Sequence, residues 1–286
     1  MQPMLREPTE IATGEPLELG HRAEIEPLLA RSAAGPSTSE RSFANLFLFR
    51  RAHGYRFLRD PVPGLLGATY DGRAHAMPLC PLDEALPLLD FAEFLYPVDE
   101  ATLAQGSRGW RRRHEDADSD YLYDTAALAR LPSDRRAQAE RFETGQAPSI
   151  EIDPVGFEVE ALAVLERWEV EVGKPAAHTD ADECREAISL GNEIGLQAVL
   201  VRAGDVGAAC GFLLASDLPD GSRAVHFAKA TRSLPGVYPW MFSRYARMSG
   251  CRVLNFEQDL GMEGLRRAKL ALGPSGRLVK YRLTPA

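Results

Sequence analysis

The 286-residue sequence predicts an α/β (α+β) protein of two domains, each a mixed, mostly antiparallel twisted sheet flanked by helices. Compact domains commonly hold about 100–150 residues, so this length favours two units over one. Strand-like and helix-like patterning alternates along both halves, and each half carries strands joined by tight turns between helices. With 45% hydrophobic and 26% charged residues, the chain has the balance of a packed globular protein, which excludes disorder, collagen-like sequence and a pure coiled coil.

Residues 22 to 32 and 42 to 52 read as helices, the second with Phe43, Leu46, Phe47 and Phe49 in one apolar band. Leu65 to Tyr70 and Arg73 to Leu79 read as strands joined at Asp71-Gly72, a dipeptide suited to a tight hairpin turn. A helix is expected from Asp83, a residue type that caps helices, to Leu95. Asp120-Tyr-Leu-Tyr-Asp124 reads as a strand feeding a helix over 125 to 131, which Pro132 ends. A helix over 135 to 142 precedes Gly145-Gln-Ala-Pro148, where the chain is released into a strand over 149 to 153. The domain cut is placed there, giving domains 1–148 and 149–286.

In the second half Phe157, Ala161, Val164, Leu165 and Trp168 recur at helical spacing, with Glu158, Glu160, Glu166 and Glu169 on other faces. Asp180, Asp182 and Glu183 open a second amphipathic helix to Ile194, where acidic groups suit the positive end of the helix dipole. Leu196 to Arg202, Gly207 to Ala215 and Arg223 to Ala230 read as a three-stranded meander. Helix 236 to 248, strand Cys251 to Glu257, helix 262 to 272 and strand Leu278 to Leu283 complete the order ααβββαβαβ. That order resembles the GNAT acyltransferase fold, which by itself fixes no chemistry.

A net charge of -8 argues against coating nucleic acid through the overall field, so any polyanion site must be a local patch. The amino terminus, with Glu7, Glu10, Glu15 and Glu18, lacks the apolar run of a signal peptide, and no stretch of about 18 apolar residues spans a bilayer. Cys80, Cys184, Cys210 and Cys251 are widely separated and read as reduced core thiols in a cytoplasmic protein. No His or Cys spacing suggests a metal site. Of the basic residues only Lys174, Lys229, Lys269 and Lys280 are lysine, and where arginine serves elsewhere a retained lysine suggests a need for a compact ammonium charge.

Carboxylates and cations gather after the strand that ends near Glu257, a common place for ligands in α/β sheets. Glu257 and Asp259 are candidates for a general base or an ammonium anchor; the competing reading has them cap the next helix and pair with Arg266, Arg267 or Lys269. An acetyl-CoA enzyme of this fold would cradle pyrophosphate at the turn from Lys229 to Gly236. Here that turn holds one glycine, together with Arg232 and with Pro235, which lacks a donor, so acetyl-CoA is disfavoured and a larger acyl donor remains open. Tyr238 beyond it relays a proton or packs, and His226, near Lys229 on a central strand, is the histidine placed for function or else a packed one. Arg108-Gly-Trp110-Arg-Arg-Arg113-His114 combines guanidinium groups with a stacking surface, as an RNA contact would, unless Glu115, Asp116, Asp118 and Asp120 neutralise it. Arg266, Arg267, Lys269, Arg277, Lys280 and Arg282 form a second basic patch.

The segment from Glu257 to Lys269, EQDLGMEGLRRAK, followed by Pro274 and Lys280-Tyr281, resembles the hallmark of the phosphatidylglycerol lysyltransferase C-terminal family. Ser42-Phe-Ala-Asn-Leu-Phe-Leu-Phe-Arg50 resembles its amino-terminal helix and Asp120-Tyr-Leu-Tyr-Asp124 its central tyrosine strand, so the resemblance spans nearly the whole chain. It implies tandem GNAT-like domains that move an aminoacyl group from aminoacyl-tRNA to an acceptor, typically a lipid head-group hydroxyl. The sequence departs from the family in having no membrane-spanning half, so a lipid acceptor implies peripheral membrane contact. It departs again in a shorter, less basic helix at Arg135-Arg136-Ala-Gln-Ala-Glu-Arg141.

Aminoacyl transfer from an ester needs orientation, removal of one proton, and positive charge at the developing oxyanion. On this reading Asp259, Lys269 and Tyr238 are catalytic, and Lys229, Arg232, Glu257, Arg266, Lys280 and His226 bind substrate. Arg111, Arg112, Arg113 and Arg267 contact the nucleic acid, and no metal or cofactor is required. One alternative is an N-acyltransferase with acyl-CoA or an acyl-carrier thioester as co-substrate. Another is a non-catalytic scaffold that binds a metabolite or partner.

Overall fold

The structure, a computed structural model, describes residues 13–31, 36–106, 109–175 and 178–286; the glutamates at positions 7 and 10 and the arginine at 108 lie outside them. The chain divides into two compact units, one of the residues up to Asp120 with Leu218–Asp220 and Leu278–Ala286, the other of Tyr121–Asp217 and Gly221–Arg277.

In the first unit the chain runs through β1 (Glu15–Pro16), α1 (Arg22–Arg31), α2 (Phe43–Leu48), α3 (Arg50–His53), β2 (Arg56–Leu58), β3 (Gly64–Ala68), β4 (Ala74–Pro78), β5 (Phe94–Val98), α4 (Glu100–Gln105) and β6 (Trp110–His114). The apolar band predicted around Phe43 is buried throughout α2, which Ser42 caps by accepting the Asn45 N–H. The β3–β4 hairpin forms as expected, with Gly72 at φ 81° in its turn. The expected helix from Asp83 to Leu95 does not form. Two short 3-10 turns, Leu82–Glu84 and Leu86–Asp90, take its place, and Phe94 enters β5 beside β4. Pro87 has no N–H for a continuous helix, and Leu82, Ala85 and Leu88 find their burial in the turns.

The second unit contains β7 (Asp120–Asp124), α5 (Thr125–Leu128), α6 (Ser133–Gln146), β8 (Ser149–Ile152), α7 (Phe157–Val172), α8 (Ala181–Leu190), β9 (Leu196–Ala203), β10 (Ala208–Asp217), β11 (Arg223–Ala230), α9 (Val237–Met248), β12 (Val253–Asn255), α10 (Glu263–Ala271) and β13 (Gly276–Leu278). The last strand, β14 (Tyr281–Pro285), returns to the first sheet. The strand orders are β1-β2-β3-β4-β5-β14-β6 and β8-β9-β10-β11-β12-β7-β13. Each sheet thus has four antiparallel strands, then one parallel joint, β4–β5 or β11–β12, and then an antiparallel neighbour.

That neighbour is β14 in the first sheet, drawn from the far end of the chain, and β7 in the second, which precedes the other strands of its sheet in sequence. The cut expected after residue 148 therefore falls inside the second unit. β7 pairs with β12, Tyr123 opposite Leu254, and Tyr121 and Tyr123 are buried in one core with Leu128, Phe142 and Trp240. Full burial of such side chains contributes roughly 1.5–3 kcal/mol each, enough to override the local Gly-Pro break. Cys80, Cys184 and Cys210 are buried free thiols. Among the described residues no helix is long and apolar enough to cross a membrane.

Candidate functional site

In the second unit the parallel ladder between β11 and β12 consists of Arg223 opposite Leu254 and Ala224 opposite Asn255. Beyond it the chain leaving β12 keeps to β7: Phe256 N–H donates to the Tyr121 carbonyl and Tyr121 N–H to the Glu257 carbonyl. Side chains span the strands where the ladder stops. His226 Nδ1 lies 2.7 Å from Glu257 Oε1, and His226 Nε2 lies 2.8 Å from Ser216 Oγ on β10. The pairing of β10 with β11 slips here, Leu214 facing Phe227 and Ala215 facing Val225, so His226 is the extra residue of a β-bulge. A bulge re-aims a side chain, and bulges are common beside active sites. The equivalent positions past the β4–β5 ladder of the first unit, which ends at Ala76 and Leu95, are Pro78 and Pro97. Neither can move a proton.

Glu257 has φ 57°, a left-handed conformation that costs a residue other than glycine about 1–3 kcal/mol and persists only where its surroundings enforce it. Those surroundings are identifiable. Asn255 Oδ1 accepts the Glu257 N–H at 2.8 Å. Lys269, in the last turn of α10, donates to the carbonyls of Phe256, Glu257 and Gln258 at 2.5, 3.1 and 2.6 Å. Asp259, with no exposed surface, accepts from Tyr121 Oη at 2.7 Å, Arg266 Nε at 2.7 Å, Arg266 Nη2 at 3.1 Å and Gly261 N–H at 2.9 Å. Burial alone would raise its pKa, but the hydrogen bonds from Arg266 and Tyr121 outweigh it and hold the carboxyl below the usual range.

Of Asp259, Lys269 and Tyr238, the residues expected to be catalytic, the first two are engaged within this loop. Asp259 and Lys269 use their polar atoms to shape the loop from Phe256 to Met262. This is the tying role that competed with catalysis in the sequence. Glu257, a general-base candidate in the sequence as well as an expected substrate-binding residue, and His226, expected to bind substrate, are the titratable pair at the end of the ladder. Ser216 carried no sequence signal, and Tyr121 was visible only as part of the tyrosine strand.

The remaining residues fall into separate groups. Lys229 is buried, 2.5 Å from Asp180 and 4.1 Å from the centre of the Trp168 ring. Burial works against its charge, yet Asp180 raises its pKa, so it stays an ammonium. Tyr238 Oη accepts the Ala230 N–H at 3.0 Å, and burial raises its pKa; its bond is to backbone, away from Glu257. The Arg232 N–H donates to the Glu171 carboxylate, so an internal anion occupies a donor of the turn where a phosphate would sit. Gly236, at φ 95°, opens α9, and a Cβ there would lie 2.3 Å from the Gln138 carbonyl oxygen of α6. Helix α6 thus covers the cradle position, and Pro239 removes a further N–H from the first turn of α9.

Arg267 is exposed on α10, 3.8 Å from Glu263. In the first unit Lys280 is fully buried, with its ammonium 2.6 Å from both Asp120 and Glu40. Burial opposes its charge, but Asp120 and Glu40 raise its pKa, and a substrate-binding role gives way to an internal ion cluster. Arg111, Arg112 and Arg113 lie exposed on β6, the edge strand of its sheet; Arg112 pairs with Glu100 and Arg113 with Glu115. Among the described residues no group of three or more His, Cys, Asp or Glu side chains is placed to hold a metal ion.

Comparison with known proteins adds a family and a fold. The family model described as phosphatidylglycerol lysyltransferase, C-terminal, matches residues 31–284. A conserved protein of unknown function from Bacteroides thetaiotaomicron superposes with a TM-score of 0.78 at 20% identity, covering 95% of this chain and 99% of that one. L-PGS from Bacillus licheniformis superposes with a TM-score of 0.61 at 13% identity, covering 96% and 93%. FemX does so with a TM-score of 0.53 at 11% identity, covering 90% and 95%. No curated protein matches the sequence. The tandem GNAT-like fold that the family resemblance implies is the fold observed.

Proposed function

The chain belongs to the phosphatidylglycerol lysyltransferase C-terminal family, and from that premise we propose that it transfers an aminoacyl group from aminoacyl-tRNA to a lipid head group or small polar acceptor. The observation that carries this reading is the His226–Glu257 pair, set by a bulge and a left-handed residue where the β11–β12 ladder stops. An acceptor hydroxyl or amine attacks the ester carbonyl and gives its proton to this pair; the ribose oxygen of the donor leaves and takes up a proton. Lys269 and Arg266 act through the loop they hold. Arg111, Arg112, Arg113 and Arg267, on exposed surfaces, supply phosphate contacts to the tRNA.

The choice of donor is supported by the turn before α9. A pyrophosphate-bearing thioester needs free N–H groups there, and this chain offers a proline, a carboxylate already on the Arg232 N–H, and helix α6 against Gly236. An aminoacyl ester has no such requirement. A membrane lipid would be met by a peripheral encounter, and the reaction needs no metal or cofactor.

The test is to incubate the protein with radiolabelled aminoacyl-tRNA pools and with acyl thioesters in turn, offering phospholipid vesicles and a small-molecule cell extract as acceptors. Label is expected to leave the tRNA ester and appear in the acceptor fraction. If label leaves only the thioester, the N-acyltransferase reading replaces this one. If neither donor is used and an acceptor still binds, the scaffold reading does.

A further inference from the structure

We propose that Glu257 is the catalytic base of the second unit and that His226 and Ser216 are its positioning residues, Ser216 acting by fixing the imidazole tautomer. The inference rests on the transferase reading for its substrate and on geometry for the rest.

The three side chains form one line of hydrogen bonds, Ser216 Oγ to His226 Nε2 at 2.8 Å and His226 Nδ1 to Glu257 Oε1 at 2.7 Å. Both distances are those of well-made bonds. The line has an open end and a closed end. The Glu257 side chain is 16% exposed and that of His226 is not exposed at all, while Ser216 is buried behind them. A substrate proton can therefore reach the carboxylate and neither partner behind it. This order is the reverse of a nucleophilic serine triad, where the hydroxyl faces the substrate and the acid lies inside.

A neutral imidazole has one N–H and one lone pair. An ionised Glu257 can only accept, so the bond to it is made when the proton sits on Nδ1. The Ser216 hydroxyl favours that state by donating to the Nε2 lone pair. Without the hydroxyl, Nε2 loses its hydrogen-bond donor, and the tautomer that turns the Nδ1 lone pair toward the carboxylate gains population. Glu257 then loses the bond that aims it, although the backbone that carries it is unchanged. The bulge places His226 for this contact, and the left-handed φ of Glu257 brings the carboxylate back toward β11.

The chemistry selects its acceptors: a base at this position serves an attacking group that loses a proton on acylation, namely a hydroxyl or a neutral amine. The proton passes from the acceptor to Glu257 as the new acyl bond forms. It then returns to the leaving oxygen of the donor, so the enzyme is regenerated without a covalent intermediate or an outside reactant.

The experiment compares wild type, Ser216→Ala, Ser216→Thr and Glu257→Gln by turnover and by nitrogen NMR of protein labelled with 15N-histidine, His226→Gln identifying the His226 signals. In the wild type Nδ1 is expected to show the shift of a protonated ring nitrogen and Nε2 that of an unprotonated acceptor. Ser216→Ala is expected to move both ring shifts toward those of the other tautomer and to lower kcat about tenfold, the rate equivalent of one lost hydrogen bond, with KM within about twofold. Ser216→Thr, which keeps the hydroxyl, restores both. Glu257→Gln is expected to lower kcat about 100-fold or more. A wild-type proton on Nε2, or a Ser216→Ala variant with unaltered ring shifts and turnover, overturns the proposal.

The comparison is made on whichever donor the wild-type protein uses, so a wrong donor and a wrong relay are separate results. Should wild type use neither donor, the transferase reading and the catalytic role of Glu257 both fall, and the ring shifts decide the role of Ser216 alone.

Discussion

The Lys269 ammonium lies 2.5 Å from the Phe256 carbonyl oxygen, and the same group also serves the next two carbonyls of the chain. Three acceptors converging on one donor group suit a compact ammonium and not a planar fork. Lys269→Met removes the donor these carbonyls share and is expected to cost about 1–3 kcal/mol in urea unfolding, together with most of the transfer activity. Lys269→Arg is expected to recover little of either. A variant as stable as wild type would show that the loop is held by other means.

Asp259 gives a prediction with a pH signature. Its pKa in the folded protein is below that of an ordinary carboxylate, so its contribution to stability is complete above pH ~4 and is lost as pH falls through the folded value. Asp259→Asn should therefore be less stable than wild type at neutral pH, by about 1–3 kcal/mol, and the gap should close in acid. Unfolding midpoints measured at pH 7 and across the acid range check both parts; a gap that widens in acid would assign the stability to another group.

The second fold unit was legible because its strands are apolar runs cut by Gly-Asp and Pro-Asp-Gly turns, and because the segment from Glu257 to Lys269 has a dense polar pattern. What stayed hidden is non-local. Nothing near Tyr121 says that it pairs beside Phe256, and nothing in Tyr281 to Pro285 says that this strand returns to the first sheet. β6 has no apolar alternation, since Arg111 to His114 are all exposed, so it reads as a charged patch instead of an edge strand. Ser216 follows an apolar run in β10 and precedes its last residue, Asp217, and only the bulge that turns His226 toward it reveals a partner.

Lys280 stands between two carboxylates inside the first unit, and Ser39 donates its N–H to Asp120 at 2.8 Å. Breaking such a buried group from one side leaves two carboxylates facing each other without the ammonium between them. Lys280→Met is expected to cost about 3–5 kcal/mol. Adding Asp120→Asn and Glu40→Gln to Lys280→Met should recover much of the loss, because the charges that needed pairing are gone. Chemical denaturation of the single and triple variants decides this; equal losses would mean that packing of the lysine stem, not charge, sets the cost.

The tRNA reading makes a prediction about salt. Arg111 is exposed on the edge strand β6, where a guanidinium that meets a phosphate displaces a counterion. Arg111→Ala should weaken aminoacyl-tRNA binding and reduce the slope of log affinity against log salt by about 1, with little change in fold stability. Filter binding across a salt series measures it. An unchanged slope would remove this strand from the RNA contact.

His75 and His53 give the first unit a defined response to acid. His75 is buried among Tyr55, Phe94 and Tyr96, and both of its ring nitrogens are without hydrogen-bond partners. Burial pushes its pKa down to about 3, and burial likewise lowers His53 to about 4. In the unfolded chain both titrate near 6.5, as a histidine ordinarily does. The unfolded state therefore takes up protons first as pH falls, so the stability these residues provide is complete above pH ~6.5 and is eroded below it until the folded values are reached. The slope is about 1.4 kcal/mol per pH unit for each histidine within that window. His75→Phe keeps an aromatic ring in an aromatic site and loses no hydrogen bond, so it should match or exceed wild type at pH 7 and show about half the acid slope from pH 6 to pH 4. Denaturant midpoints of the two proteins over that range measure it, and an acid slope unaltered by His75→Phe would show that this imidazole is protonated, or hydrated, in the folded state.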